Sequence, residues 1–335
     1  MNIQNLLIGT AIGDAFGAGV EFQDRDWIRA KVDFSCFINA RKSIQVPPSQ
    51  KALFTQNYRA WDYTDDTEMT IGVFKALVSK VTFSEDLLLQ KWEEEYKKGV
   101  QEKGFGRNGH GSMSWYYSGE KTIEEIRHFQ KNRPNPGNAP AMRAVPIGLI
   151  PAPLINAYAA INAKATHPNI NAILASQCIA RAAEFSLIKQ GNLQKIIPYC
   201  LQTVPLNEEY HSYLKAVDLL PAYPNLTEKD LALLCGAQPI QAPYFLAGIK
   251  GLPSDSKYTT GCVLYLLKQA STPFDALQKS VYLGGDVDSV ASITTGILAG
   301  SMGLGSLPNF MLESVEGLDY LKEIGAQFSS HLPYS

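Results

Sequence analysis

The chain has 335 residues, of which 45% are hydrophobic and 19% are charged. A chain of this length and composition can bury a sizeable core. The formal net charge of −2 disfavours a protein whose affinity depends on attraction to a polyphosphate, so we expect no strong nucleic-acid binding.

The cysteines and the apolar tracts exclude several further classes of protein. Five cysteines are scattered along the chain without a C-x-x-C spacing, which disfavours a disulfide framework or a zinc site. The longest apolar tract contains Pro146, Pro151 and Pro153 and is a poor membrane span, and the N-terminus does not resemble a signal peptide. We therefore expect a soluble, cytoplasmic protein without membrane contact. A protein exported as an effector by a non-classical route would have the same sequence features.

The first distinctive segment, GTAIGDAFGAGVEF, has glycines at four-residue spacing, Gly9, Gly13 and Gly17. On a helix these glycines lie on one face and permit tight packing. Asp14 lies within the same apolar helix and needs a partner if it is buried, so we interpret it as a hydrogen-bonding strut. Glu21 follows the glycines and can point into the same cleft.

The second segment, YTDDTEMT, places Asp65 and Asp66 directly after Thr64 and before an apolar periodic run. That run predicts a helix over residues 67–81. In one interpretation Thr64 caps the helix, and the two acids favour the positive end of the helix dipole. In the other, these oxygens are hard ligands for Mg²⁺, Mn²⁺ or Ca²⁺.

Helical patterns dominate the remainder of the chain. Ser84 is a predicted N-cap for a helix that extends to residue 100, and Gly191 is a predicted C-terminal glycine for a helix from residue 171. Further helices are predicted over residues 259–271 and 290–303. Strand patterns are scarce and no domain boundary is evident, so we predict an all-α protein with a single domain over residues 1–335.

A third segment, LGGDVDS, lies near the C-terminus. Gly284 and Gly285 permit a tight turn, through which Asp286, Asp288 and Ser289 can converge on one point. The alternative is a glycine turn followed by an ordinary helix cap. If the acids of all three segments met in one pocket, they would repel one another or take up protons, and two divalent cations would resolve this.

These three motifs, in this order, resemble the ADP-ribosylglycohydrolase family. That family contains the dinitrogenase-reductase-activating glycohydrolases and the eukaryotic ADP-ribosylarginine and ADP-ribosylserine hydrolases. Its signature has a Gly-Asp followed by a Glu, then T-D-D-T, then G-G-D-x-D-[TS], matched here by Gly13-Asp14 with Glu21, by residues 64–67 and by residues 284–289. Weaker similarities are the glycine-rich stretch within residues 93–112, PGNAPAMRAVPIGL from residue 136, and THP at residues 166–168.

The resemblance implies an orthogonal multi-helix bundle with two divalent cations, Mg²⁺ or Mn²⁺. The implied metal ligands are Thr64, Asp65, Asp66, Asp286, Asp288 and Ser289. The implied catalytic residues are Glu21, Asp66 and Asp286, of which Glu21 ligates metal or acts as acid or base. The implied substrate-binding residues are Gly106, Gly137, Asn138, Ala139, Met142 and His167, with backbone donors of residues 137–139 on the diphosphate and His167 near the adenosine.

The implied activity is metal-dependent hydrolysis of the glycosidic bond between ADP-ribose and a modified protein side chain, or a small ADP-ribose conjugate, by a monomer. Two alternatives stay open, an inactive ADP-ribose-binding or structural relative and a hydrolase of another small nucleotide or glycoside conjugate. The chain departs from the family pattern at Ser289, where Thr is usual, and at Glu68, where Gln is frequent. It also departs at Ala139-Pro140, which replaces a glycine-containing pair and removes one backbone donor.

Overall fold

A computed structural model describes residues 1–39, 59–104, 110–240 and 248–331. Its first helices are α1 (Ile3–Val20), α2 (Arg25–Lys31), α3 (Asp65–Leu77), α4 (Glu85–Lys103), α5 (Met113–Tyr117), α6 (Ile123–Lys131), α7 (Ala139–Met142) and α8 (Ile155–Lys164). Its later helices are α9 (Ile170–Ala183), α10 (Ile196–Thr203), α11 (Glu208–Asp218), α12 (Glu228–Cys235), α13 (Ser256–Gln269), α14 (Pro273–Val281), α15 (Asp288–Met302), α16 (Asn309–Ser314) and α17 (Leu318–Ser329). Within the described ranges the only β-structure is a few isolated bridges, so the predicted all-α fold is confirmed.

Helix α1 lies in the centre of the core and packs along α15. It is buried on all faces, as expected for a helix that is apolar all round. A Cβ atom added at Gly13 would lie 2.3 Å from the carbonyl oxygen of Ala291, and one at Gly17 would lie 2.5 Å from the Cα of Asp288. The glycines therefore permit backbone contact, and the two helices run antiparallel. As a result, the C-terminal end of α1 meets the N-terminal end of α15.

Local sequence patterns predicted several helices closely. Ser84 caps α4, since its hydroxyl oxygen accepts a hydrogen bond from the backbone N–H of Leu87. The helices predicted over residues 259–271 and 290–303 correspond to α13 and α15. None of the helices in the part of the chain that the structure describes is long and apolar enough to span a bilayer. Nothing in the fold tests the single-domain prediction, which stays a prediction.

Two predicted helix ends are wrong. Helix α3 ends at Leu77 instead of residue 81, and Val81 lies outside it with a side chain that is 62% exposed. Helix α9 continues into a π-helical turn, Glu184–Ile188, and does not end on Gly191. The left-handed residue there is Gln190, with φ of 49°, while a Cβ at Gly191 would lie 2.3 Å from the ring of Phe185. Close packing, and not a helix cap, therefore requires that glycine.

Candidate functional site

Asp14 attaches the start of α3 to the middle of α1. Its fully buried carboxylate accepts four donors, the backbone N–H and the hydroxyl of both Thr64 and Thr67, at 2.6–3.1 Å. The interpretation of Asp14 as a buried strut is confirmed. Thr64 is the N-cap residue of α3, as one interpretation predicted, but its side chain makes no capping hydrogen bond. Its hydroxyl donates to Asp14, and Asp14 itself accepts the N–H of Thr67. Because the Thr64 hydroxyl is the donor in its bond to Asp14, the lone pairs of its oxygen can still accept a hydrogen bond or ligate a cation.

The Gly284-Gly285 turn is attached to the segment that follows α1. Both glycines have positive φ, 70° and 77°, which glycine adopts without strain. The carbonyl of Gly285 accepts the N–H of Phe22 at 2.7 Å, and the N–H of Gly285 donates to Gln23 at 2.9 Å. These bonds place the residues on either side of the turn next to Glu21, the residue that directly follows α1 as its C-cap.

Three carboxylates from these segments meet in one buried place. Ligand oxygens of Glu21, Asp286 and Asp288 all lie within 4.8 Å of one another. Asp66, in the first turn of α3, joins them through a hydrogen bond with the side chain of Ser289. We call Glu21, Asp66, Asp286 and Asp288 the acidic cluster. The structure thus brings the motifs near residues 21, 65 and 287 together, as their chemistry predicted.

Burial and mutual repulsion dominate the electrostatics of the acidic cluster. Burial, and then the charge of Glu21, raises the pKa of Asp286 to about 6. Burial followed by the charge of Asp288 raises the pKa of Asp66 well above its usual value, and burial followed by Asp286 does the same for Asp288. Carboxylates that cannot all ionise in one low-dielectric pocket share protons or bind cations. Asp286 and Asp288 lie side by side, so the uptake of a proton by one of them relieves the repulsion on the other.

The donor set of the cluster fits divalent cations that prefer oxygen. Asp66 Oδ1 is buried and has no hydrogen-bond partner among the described residues, which is costly for a carboxylate oxygen unless a ligand contacts it. Asp65 is only partly buried, yet its charge acts on both Asp66 and Asp288. Buried carboxylate and hydroxyl oxygens without sulfur or imidazole are typical of Mg²⁺ or Mn²⁺ sites. The residues present therefore fit the cations that the sequence predicted.

Asn138 joins the predicted substrate loop to the acidic cluster. Its Nδ2 donates to Asp286 Oδ2 at 3.1 Å and to Ser289 Oγ at 3.2 Å. Its Oδ1 accepts the hydroxyl of Ser254 at 3.3 Å, a residue that sequence reasoning missed. Ser254 precedes α13 in a loop without any motif, so no sequence signal could have identified it.

The remaining predicted substrate residues lie around this loop. Ala139 begins α7, Met142 ends it, and Met142 is buried. His167 lies against Gly137, since a Cβ at Gly137 would lie 3.3 Å from His167 Nε2. Gly106 lies outside the described residues. The roles of all these residues stay predictions.

Sequence reasoning also missed a buried contact between a histidine and a glutamate of α3. His110 Nε2 lies 2.7 Å from Glu68 Oε2, and His110 Nδ1 lies 3.0 Å from the hydroxyl of Tyr117. Both Glu68 and His110 are buried. Glu68 was noted only as a departure from the family pattern, because nothing in the local sequence connects it with a histidine 42 residues away.

Comparisons with known proteins extend over almost the whole chain. A family model described as ADP-ribosylglycohydrolase matches residues 2–333. The protein named ADP-ribosylhydrolase ARH3 from Bos taurus is 23% identical over 341 residues, which cover 93% of this chain and 88% of the bovine protein. Its Homo sapiens counterpart is 22% identical with the same coverage.

Two further relatives extend the comparison. An uncharacterized protein from Archaeoglobus fulgidus is 23% identical over 97% of this chain and 94% of its own length. A solved structure described as an ADP-ribosylglycohydrolase-related protein complex covers 98% of this chain and 97% of its own, with a TM-score of 0.61 and 17% identity. At that identity the structural likeness supports the fold alone.

Proposed function

Since the chain belongs to the ADP-ribosylglycohydrolase family, we propose that it is a metal-dependent hydrolase that releases ADP-ribose from a modified protein side chain or a small ADP-ribose conjugate. The observation that carries the proposal is the acidic cluster, assembled from the end of α1 and the starts of α3 and α15. Buried carboxylates that repel one another destabilise a fold, which disfavours a relative with a purely structural role.

In this proposal the chain would hold two divalent cations, Mg²⁺ or Mn²⁺. The start of α3 would supply oxygens of Thr64, Asp65 and Asp66, and the start of α15 would supply those of Asp286, Asp288 and Ser289. When bound, such cations supply Lewis acidity and a water of lowered pKa. The bond to ribose breaks through an oxocarbenium-like state, so the chain must also orient the sugar and move a proton.

The residues of the chain divide these tasks. Glu21 lies beside Asp286 and Asp288 at the C-terminal end of the buried helix α1, where it either completes the ligand set or exchanges a proton with water or with the leaving group. Asn138 holds Asp286 and Ser289 and so connects ligand binding at the loop with the cluster. The backbone of residues 137–139 binds the diphosphate, and His167 contacts the nucleotide.

A turnover assay tests the proposal. Arg-linked and Ser-linked ADP-ribosylated proteins are incubated with the chain and either Mg²⁺ or Mn²⁺, and released ADP-ribose is measured. We expect release that chelation abolishes and that Asp286→Asn lowers by about 1000-fold. Asp319→Asn makes the same chemical change on a fully exposed side chain and serves as the matched control.

Two outcomes contradict the proposal. If ADP-ribose and metal bind but no ADP-ribosylated substrate is cleaved, the chain is a binding protein of the same fold. If a panel of other nucleotide or glycoside conjugates is cleaved and ADP-ribosylated substrates are not, the substrate class is wrong.

A further inference from the structure

Arg143 is a fully buried arginine, and its hydrogen-bond partners among the described residues are neutral groups and include no carboxylate. Its Nε donates to Asn162 Oδ1 at 2.8 Å, and its Nη2 donates to Asn162 O at 3.2 Å and to Thr166 Oγ1 at 2.7 Å. The guanidinium carbon lies 3.8 Å from the ring centroid of Trp92, within the range of a cation–π interaction. Burial lowers the pKa of Arg143 to about 9, which leaves it protonated at neutral pH.

The direction of each hydrogen bond on the Asn162 side is determined. Asn162 Nδ2 donates to the carbonyl of Pro140 and to Ser176 Oγ, both at 2.9 Å, and Ser176 in turn donates to the carbonyl of Ala159. Backbone carbonyls only accept, so the amide nitrogen of Asn162 must face Pro140. The amide oxygen is then left for Arg143, which only donates.

The hydrogen bonds of Thr166 determine which ring nitrogen of His167 carries the proton. Thr166 is fully buried, and its Oγ1 already accepts from Arg143. Its single hydroxyl hydrogen is therefore available for His167 Nδ1, which lies 2.8 Å away. If His167 carried its proton on Nδ1, the Thr166 hydroxyl hydrogen would be buried without an acceptor, at a cost of about 1–3 kcal/mol.

His167 is therefore a neutral imidazole with its proton on Nε2. Burial, followed by the charges of Arg143 and Arg133, lowers the pKa of His167 well below its usual value, so the ring stays neutral. Nε2 makes no hydrogen bond within the described residues. A Cβ at Gly137 would lie 3.3 Å from this nitrogen and 3.7 Å from Arg133 Nη1, so two donors approach the space that Gly137 leaves free.

We propose that Arg143 is a positioning residue that acts through Thr166 to hold His167 in the Nε2–H tautomer, which donates to a phosphate oxygen of the ligand beside Gly137. The identity of the ligand, ADP-ribose, rests on the proposed function. The tautomer itself is a property of the protein without ligand.

Nitrogen NMR of the imidazoles in the ligand-free full chain tests the tautomer. The chain has five histidines, and His167→Gln identifies the signals of His167 by their loss. We expect a protonated Nε2 and an unprotonated Nδ1 in the unaltered protein and in Thr166→Ser, which keeps the hydroxyl. Thr166→Val should yield a mixture of tautomers or Nδ1–H. A protonated Nδ1 in the unaltered protein, or no change in Thr166→Val, overturns the proposal.

The affinity for ADP-ribose, measured by calorimetry, tests whether His167 Nε2–H donates to the ligand. Gln places an amide N–H near the position of Nε2, whereas Asn places it near Nδ1. We expect His167→Gln to bind within about threefold of the unaltered protein, and His167→Asn and Thr166→Val to bind about tenfold more weakly, as for one lost hydrogen bond to a charged group. The reverse order for Gln and Asn overturns the proposal. If the unaltered protein does not bind ADP-ribose, the proposed function fails, while the NMR result still decides the tautomer.

Discussion

The acidic cluster and the Arg143 network accommodate buried polar groups in opposite ways. The Arg143 network consists of Arg143, Asn162, Thr166 and His167. In the Arg143 network the side-chain donors of Arg143, Asn162 and Thr166 face acceptors, and the single charge is spread over neutral oxygens and an aromatic ring. In the acidic cluster carboxylates face carboxylates, and Asp66 Oδ1 has no hydrogen-bond partner among the described residues. Burial is common to both regions, and unbalanced charge is what distinguishes the acidic cluster as the candidate metal site.

The largest effect that we predict is the loss of turnover on substitution of Asp66 in the acidic cluster. Asp66→Asn should lower turnover by about 1000-fold, because a ligand oxygen and its charge are lost. It should leave the metal-free protein as stable as before or more stable, because one repelling charge is removed. Steady-state kinetics and metal-free thermal unfolding measure the two effects. A strongly destabilised variant would show that Asp66 has a structural role like that of Asp14.

The next effect concerns pH. The pKa of Asp286 is raised from 3.8 to about 6, so the folded metal-free protein binds more protons than the unfolded chain between these values. Its free energy of unfolding should therefore fall as pH rises from about 4 to about 6, by up to about 3 kcal/mol for this group. Mn²⁺ should then raise the melting temperature more at pH 7 than at pH 5. Urea unfolding at several pH values, with Asp286→Asn as the variant that flattens the profile, measures this. A free energy of unfolding that rises over this range would contradict it.

In the Arg143 network, replacing the charged residue by a neutral one should lower the stability of the protein, in contrast to Asp66→Asn in the acidic cluster. Arg143→Met fills a similar volume but leaves Asn162 Oδ1 and Thr166 Oγ1 buried without their donor, so we expect a loss of about 2–3 kcal/mol in the free energy of unfolding. Arg59→Met, at a side chain that is 56% exposed, should cost less than about 0.5 kcal/mol. Equal stability of the two variants would show that the buried acceptors find other partners.

The smallest effect separates Glu68 from the acidic cluster. Glu68→Gln keeps an oxygen that accepts the N–H of His110, so both stability and affinity for Mn²⁺ should change by less than about 1 kcal/mol. Glu68→Ala leaves His110 buried without that partner and should cost more. Calorimetric titration of Mn²⁺ decides the matter, since a large loss of metal affinity in Glu68→Gln would make Glu68 part of the metal site.

Sequence-based prediction succeeded where the interacting residues are close together in the sequence and failed where they are far apart. Ser84 was identified as a cap because its partner lies three residues away, within one helical turn. The same reasoning failed for the Thr64 side chain, because Asp14, fifty residues earlier, accepts the backbone N–H of Thr67 that a capping hydroxyl would accept. Val81 continues the apolar period of α3 but meets no neighbour that would bury it, and it is exposed.

For the site, the motifs predicted the chemical types of the ligands, and tertiary contacts supplied their arrangement. The acids near residues 21, 65 and 287 were recognisable because short glycine and threonine patterns surround them. Arg143 lies within the motif that begins at residue 136, but its role could not be recognised, because its partners Asn162 and Thr166 follow about twenty residues later. Ser254 lies in no motif, and its partner Asn138 is on another loop.

The sequence by itself determined the all-α class, the buried glycine face of α1 and the presence of three acidic motifs, because these depend on periodicity and residue type over short distances. Only the tertiary structure decided that Asp14 is saturated with hydrogen bonds while Asp66 is not, although both are buried aspartates in conspicuous motifs. The physical reason is that the charge balance of a buried carboxylate depends on which distant donors the packing of α1, α3 and α15 brings to it.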